Sequence, residues 1–355
     1  MRKRGPIVHE TAPVNLEWPV SDMDTWMTPV ARFFERNHFQ HPDPVGAPWT
    51  LQLEGLVSSR LRLGLGDLRR LGAVSRWVTL ECSGNKRSLF EPPAEGTPWR
   101  EGAVGNAEWT GVPLRSVLQR AGLTADAAWV RFTGADAGRF KETGRWVHFE
   151  RALPLELAMN PAVMLAWAMN GEPLPHKHGG PLRLVVPGWY GMASVKWLTS
   201  VEVRKEEFRG PFQVRDYVYL PEPGAYDRAV PVTIGRVNSI VTHPANGDKV
   251  PPGRLLVRGL AWSGGAPVSQ VDVSLDSGRT WQQAALKEPA AEHAWRRWEL
   301  EIPDAKPGEY RILVRAADAA GNVQPPKGDW NAKGYGNNQM TMLRLTVTPR
   351  RTEWS

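Results

Sequence analysis

Cysteine, long apolar runs and blocks of like charge are scarce in this sequence. Its 355 residues include one cysteine, Cys82. No disulfide can therefore form within the chain, and one chain cannot supply the four thiolates of a structural zinc or iron–sulfur site. No stretch of about 18 apolar residues is present, so no membrane-spanning helix is expected. The 44 Lys and Arg residues are spread along the chain, which argues against nucleic acid as a partner.

The net charge and the beginning of the chain bear on partners and compartment. A formal charge of +7 is explained by solubility alone, but a basic surface also attracts anions such as an anionic cofactor, an anionic substrate or nucleic acid. Residues 1–10 are basic but lack the apolar stretch of a secretory signal. As it stands the sequence predicts a cytoplasmic protein, whereas a removed leader would indicate the periplasm.

The pattern of predicted secondary structure changes near residue 235. A length of 355 residues predicts about two domains. Residues 1–235 mix strand and helix patterns without a regular alternation, which predicts an α+β domain. Residues 236–355 carry short β-rich runs separated by turn signals such as Asp276-Ser277-Gly278, which predicts an all-β immunoglobulin-like sandwich without its disulfide.

Local patterns predict the following elements. Residues 1–45 look irregular apart from a helical stretch over 29–36, and residues 209–235 look like loop. Helices are expected at 68–71, 112–121 and 152–159. Strands are expected at 49–56, 76–81, 130–133, 164–168, 182–186, 196–203, 255–259, 270–275, 297–302, 310–316 and 340–347.

Cys82 stands where a predicted strand opens into a polar loop. The loop carries Lys86 and Arg87, and nearby positive charge lowers a thiol pKa and favours the thiolate. A thiolate is a soft ligand for a transition metal, and it is a nucleophile when a histidine base lies close to it. The residues alone do not choose between these two roles or exclude a third, a buried and inert cysteine.

Residues 79–87, TLECSGNKR, resemble the molybdenum-ligand motif of the sulfite oxidase family. Further short stretches match that family in the same order along the chain. They are 36–38 (RNH), 160–161 (NP), 169–175 (MNGEPLP), 178–183 (HGGPLR), 185–188 (VVPG), 195–198 (VKWL), 215–217 (RDY), 261–265 (AWSGG), 271–276 (VDVSLD) and 330–331 (WN). Each stretch is weak alone, but the ordered set is specific.

The resemblance implies a fold and a cofactor. The fold is an α+β molybdopterin-binding domain (1–235) followed by an immunoglobulin-like dimerisation domain (236–355), and a homodimer is expected. The cofactor is molybdenum-molybdopterin, one per chain, with Cys82 as the protein ligand to the metal. The residues implied to hold the pterin and its phosphate are Phe34, Asn37, His38, Asp136, His178, Arg183, Ser194, Val195 and Lys196.

The resemblance also implies a reaction, the oxidation of sulfite to sulfate by oxygen-atom transfer, with electrons passed to a separate acceptor. The positions matching the substrate site are Arg36, Arg87, Trp99, Tyr217 and Lys333; cationic groups and a phenol suit an oxyanion. Lys333 stands where animal and plant sulfite oxidases carry Arg, so the charge is kept but the bidentate fork is lost. No haem-binding domain and no Cys-x-x-Cys-His site is recognised, so no haem is expected.

Two other functions fit part of these features. A molybdenum-dependent reductase of nitrate or a sulfoxide would keep the cofactor and reverse the electron flow. A non-catalytic β-sandwich scaffold, in which Cys82 is structural, would need no metal.

Overall fold

The computed structural model describes residues 5–44 and 49–349, in which β-strands dominate and the helices are short. The α-helices are α1 (Leu65–Arg70), α2 (Leu114–Ala121) and α3 (Leu155–Ala158), and a π-helical turn covers Phe212–Asp216. Single 3-10 turns cover Val20–Asp22, Val30–Arg32, Arg87–Leu89, His176–His178, Gly191–Ala193 and Tyr226–Arg228. None of the helices in the two described ranges is long and apolar enough to cross a membrane.

The part before residue 236 is built on two five-stranded sheets. Its strands are β1 (Ile7–Thr11), β2 (Val14–Glu17), β3 (Leu51–Gly55), β4 (Leu61–Leu63), β5 (Val74–Glu81), β6 (Val104–Pro113), β7 (Trp129–Arg139), β8 (Trp146–Pro154), β9 (Met164–Met169), β10 (Glu172–Pro173), β11 (Arg183–Val185), β12 (Leu198–Arg204), β13 (Val218–Tyr219) and β14 (Val230–Pro231). One sheet has the order β10-β9-β6-β5 with β11 also paired to β9, and the other has the order β4-β3-β12-β7-β8.

Helix α2 shows why this part folds as it does. Leu114, Val117, Leu118 and Ala121 recur at helical spacing and are buried in the core shared with the sheets. The helix ends at Gly122, whose φ of 70° suits glycine. This face confirms the predicted helix at 112–121, although its first two residues still belong to β6.

The later part is a two-sheet sandwich, as the sequence predicts. Its strands are β15 (Asn238–His243), β16 (Lys249–Val250), β17 (Gly253–Trp262), β18 (Val268–Ser274), β19 (Gln282–Gln283), β20 (Ala285–Lys287), β21 (Arg296–Ala305), β22 (Gly308–Asp318) and β23 (Leu343–Val347). One sheet has the order β15-β17-β21-β20, and the other has β16-β23-β22-β18-β19. Val257 and Trp298 of the first sheet pack with Val273, Val314 and Leu345 of the second.

Several local predictions are wrong. Residues 1–45 are not irregular throughout, because β1 and β2 pair as an antiparallel hairpin. The expected helix at 152–159 is a strand up to Pro154, since β8 pairs along its length with β7, and only Leu155–Ala158 is helical. The presumed loop at 209–235 contains the π-helical turn and the paired strands β13 and β14.

Candidate active site

Cys82 lies at the end of β5, at the entrance to a tight buried loop. Its backbone N–H donates to the carbonyl oxygen of Ala103 at 2.9 Å, and its side chain is 7% exposed. Burial raises the pKa of the Cys82 thiol, and the charge of Arg36 opposes that rise. The loop turns at Lys86, which adopts a left-handed φ of 61° before the 3-10 turn Arg87–Leu89. A bound cation beside the sulfur would be needed to favour the thiolate here.

A cavity of about 720 Å³, here called the inner cavity, opens beside Cys82. The residues expected to bind the cofactor converge on it from four separate stretches of chain, 34–38, 136, 178–183 and 194–196. Those that line it are Phe34, Asn37, His38, Asp136, His178, Arg183, Ser194 and Lys196. Val195 is fully buried behind the wall and does not line the cavity.

Basic side chains outnumber acidic ones in the lining of the inner cavity, which has Arg36, Lys177, Arg183 and Lys196 against Glu35 and Asp136. The guanidinium of Arg183 donates to the carbonyl oxygens of His178 (2.8 Å) and Ser194 (3.0 Å), and burial lowers its pKa to about 9. Burial lowers the pKa of Lys196 and raises the pKa of Asp136, two groups that attract each other. Such basic groups are suited to a bound anion, because its negative charge would raise their pKa values again and favour their protonated forms.

His178 contributes to this wall as a neutral ring. Burial lowers its pKa to about 3, and its Nε2 lies 3.2 Å from the carbonyl oxygen of Val30. An uncharged imidazole with one N–H donates a hydrogen bond without adding to the charge of the cavity.

A second and wider opening of about 1430 Å³, here called the outer cleft, meets the inner cavity at Cys82. Six residues line both spaces: Arg36, Asn37, His38, Cys82, Ser83 and Tyr217. All five residues expected to contact substrate line the outer cleft: Arg36, Arg87, Trp99, Tyr217 and Lys333. The sulfur of Cys82 therefore stands between a cavity lined with cofactor-type residues and a cleft lined with oxyanion-type residues.

Arg36, His38 and Tyr217 form a connected group at the junction. The Tyr217 hydroxyl lies 2.7 Å from His38 Nε2, and Arg36 Nη2 lies 3.3 Å from the same ring. Burial, followed by the charge of Arg36, lowers the pKa of His38 well below its usual value, so the ring is neutral and can accept from the phenol. Burial raises the pKa of Tyr217 above its usual range, so the phenol keeps its proton.

The other three expected residues are held differently. Arg87 is buried and donates through Nε to the carbonyl oxygen of Lys333 (3.1 Å) and through Nη1 to that of Thr97 (2.9 Å). Trp99 is fully buried, and its indole N–H has no partner among the residues that the structure describes. Lys333 crosses from the later part of the chain, but its ammonium is 3.1 Å from a carboxylate oxygen of Glu142.

Sequence reasoning missed three further residues of the cleft. Glu142, Asp216 and Tyr335 all line it. Asp216 Oδ2 lies 3.4 Å from His38 Nε2, and its Oδ1 accepts from the Tyr335 hydroxyl at 3.2 Å. Asp216 directly precedes Tyr217 in the matched stretch 215–217 and could have been selected from it, whereas Glu142 had no such signal.

Comparisons with known proteins agree with this architecture. The family model of the oxidoreductase molybdopterin-binding domain matches residues 38–212. The family model of the Mo-co oxidoreductase dimerisation domain matches residues 232–348. Sulfite oxidase of Gallus gallus is 38% identical over 354 residues, covering 94% of this chain and 76% of that protein.

The chain belongs to the sulfite oxidase family. Mitochondrial sulfite oxidase of Homo sapiens is also 38% identical, over 363 residues and 96% of this chain; the chain spans 66% of that relative's length. The solved structure of the sulfane dehydrogenase SoxCD from Paracoccus pantotrophus superposes with a TM-score of 0.84 at 29% identity, covering 95% of this chain and 86% of that chain. The chain thus has the molybdopterin-binding domain of a family of oxidoreductases, which the non-catalytic scaffold hypothesis does not explain.

The residues of the inner cavity fit the cofactor of this family. A pterin that carries a phosphate needs cationic donors, and Arg183 and Lys196 line the cavity as buried cations. Asp136 Oδ1 and Ser83 Oγ are buried and unpartnered within the described ranges. Buried polar atoms of native proteins are normally satisfied, so these two atoms are suited to a bound polar group.

Proposed function

We propose that this protein oxidises sulfite to sulfate and passes the electrons to a separate acceptor. The observation that carries the proposal is the position of Cys82, where the inner cavity meets the cationic outer cleft. Balanced overall, sulfite and water give sulfate, two protons and two electrons. Sulfite is a small dianion near neutral pH, which suits a cleft lined by Arg36, Arg87 and Lys333.

The inner cavity is assigned to molybdenum-molybdopterin. When bound, this cofactor supplies the redox centre at which an oxygen atom from water is transferred and two electrons are accepted. Cys82 supplies the protein ligand to the metal, and Arg183 and Lys196 hold the phosphate. Phe34, Asn37, His38, Asp136, His178 and Ser194 line the pterin, with Val195 supporting the wall from behind.

The outer cleft orients the substrate. Burial acts against the charge of Arg36, but neighbouring groups that include Asp216 raise its pKa overall, so the guanidinium stays charged at neutral pH. Its guanidinium and the free edge of Arg87 would hold sulfite oxygens, and the Tyr217 hydroxyl would exchange its bond to His38 for one to the oxyanion. Trp99 forms part of the wall of the cleft, and its indole N–H has no partner among the described residues.

Two further assignments follow from the family. The later part of the chain, proposed to begin near residue 236, would join two copies as a homodimer, in keeping with the matched dimerisation domain. The electrons leave to a separate redox protein such as a cytochrome.

The direction of the reaction is tested on cofactor-loaded protein. Sulfite-dependent reduction of ferricyanide or cytochrome c is expected, with little oxidation of reduced viologen by nitrate or sulfoxides. The reverse pattern would favour the reductase, and an absence of sulfite turnover in protein that holds molybdenum would overturn the proposal.

A further inference from the structure

The loop that carries Cys82 is hydrogen-bonded both to residues 97–103 of the earlier part of the chain and to the later part, which contains the β-sandwich. The backbone N–H of Gly336 donates to the carbonyl oxygen of Ser83 at 2.8 Å. Asn337 Nδ2 donates to the carbonyl oxygen of Lys86 at 2.9 Å. These bonds join positions some 250 residues apart in sequence, and they leave the loop little freedom to move alone.

Glu81, the residue before Cys82, is the first of two side chains that enter this contact. It is 5% exposed, and its carboxylate accepts from Asn85 Nδ2 at 3.0 Å within the loop. It also accepts from Asn238 Nδ2 at 3.1 Å and from Trp262 Nε1 at 2.9 Å, both in the β-sandwich. A buried carboxylate needs such donors, because losing one leaves a desolvated acceptor unsatisfied.

Lys86, on the other side of Cys82, is the second side chain that connects the loop to the β-sandwich. Its ammonium is fully buried and donates to Asn238 Oδ1 at 2.7 Å and to the carbonyl oxygens of Ser239 (3.0 Å) and Gln339 (3.1 Å). The amide of Asn238 therefore accepts from Lys86 and donates to Glu81. One side chain of the β-sandwich links both flanks of Cys82.

We propose that Asn238 and Trp262 are positioning residues that fix Cys82 for metal ligation through Glu81 and Lys86. The β-sandwich then acts inside each chain as the support of the metal-ligand loop, in addition to any role between chains. Ligand and catalytic groups require placement within about 0.5 Å, which a buried and satisfied network provides and a mobile loop does not.

The single cysteine gives a direct test that needs no turnover. The full-length chain, purified without cofactor, is treated with a small thiol reagent under native conditions, and labelling reports only on Cys82. Trp262→Phe removes the donor to Glu81 and keeps most of the packing. Trp298→Phe is the matched control, because Trp298 is buried in the core of the same sandwich and its indole N–H has no partner in the described part of the chain.

We expect Trp262→Phe to accelerate labelling at least tenfold, while Trp298→Phe changes it less than about threefold at a comparable free energy of unfolding measured by denaturant titration. Asn238→Ala is the second variant, in case Trp262→Phe does not fold, and the same acceleration is expected. Equal labelling rates in the Trp262 and Trp298 variants would overturn the proposal. So would an Asn238 variant that labels as slowly as the wild type.

Discussion

Replacing Glu142 by Gln should tighten substrate binding. The Glu142 carboxylate accepts from Lys333 Nζ (3.1 Å), from Arg215 Nε (3.2 Å) and from the Tyr226 hydroxyl (3.1 Å). It thus holds at the rim of the cleft the one lysine that the family resemblance assigns to substrate. These bonds outweigh the effect of burial and lower the pKa of Glu142, so the group is ionised at neutral pH.

The size of the effect follows from the charges of the outer cleft. Five cations line it, Arg36, Arg87, Arg139, Lys141 and Lys333, against four carboxylates, Glu10, Glu95, Glu142 and Asp216. Glu142→Gln and Glu95→Gln each raise the formal balance from +1 to +2, but only Glu142→Gln also frees the charge of Lys333 to act on the substrate. In a partly exposed cleft one charge acting on a dianion is worth about 1 kcal/mol, and about 1 kcal/mol corresponds to a roughly fivefold lower KM for sulfite.

Steady-state turnover of the loaded enzyme with sulfite and ferricyanide, at low and moderate ionic strength, measures this effect. We expect KM to fall roughly 3- to 10-fold with kcat within about twofold, and the gain to shrink as salt screens the cleft. Glu95→Gln is the control, since it removes the same charge from the same cleft, while Glu95 forms no ion pair with any described residue. A KM that is unchanged or higher in Glu142→Gln, or equal gains in both variants, would refute the release of Lys333 as the cause.

Three further outcomes are expected. Tyr217→Phe should lower kcat/KM for sulfite roughly 10- to 100-fold at unchanged molybdenum content, because a neutral donor to the oxyanion is lost. A loss below twofold would show that the phenol does not contact the substrate. The cofactor-free chain should have a higher Tm at about pH 9 than at about pH 7. The pKa of Lys196 is about 7 in the folded chain against 10.5 ordinarily, so between pH 7 and pH 9 the unfolded chain binds more protons than the folded chain. If Lys196→Met showed an equally large rise in Tm over this interval, Lys196 would not be its cause. Leu118→Ala should destabilise the fold by about 2–5 kcal/mol in denaturant titration, because Leu118 is fully buried; a cost below about 1 kcal/mol would argue against that packing.

The sequence predicted elements that have a strong local pattern. Helix α2 followed from four apolar residues at helical spacing and a terminal glycine. The sandwich strands followed from β-rich runs between turns. The helix at 152–159 was mispredicted because pairing of β8 with β7 outweighed the local preference of the chain.

The candidate site was predicted less from local pattern than from ordered resemblance. Its residues converge from distant stretches, as Cys82, His178 and Lys196 show, and spacing alone carries no such information. The contact between Glu142 and Lys333 joins positions 191 residues apart. Neither residue has a sequence environment that indicates the other, so only the folded chain reveals that the lysine is already paired.

The most direct test is the molybdenum content of the wild type and of Cys82→Ser, with sulfite-dependent dye reduction measured on both. The account predicts about one molybdenum per wild-type chain with sulfite turnover. In Cys82→Ser it predicts retained pterin but no turnover, since losing one ligand can abolish activity without releasing the cofactor. A wild-type chain without molybdenum, from a host that supplies the cofactor, or a Cys82→Ser variant with full activity would contradict it.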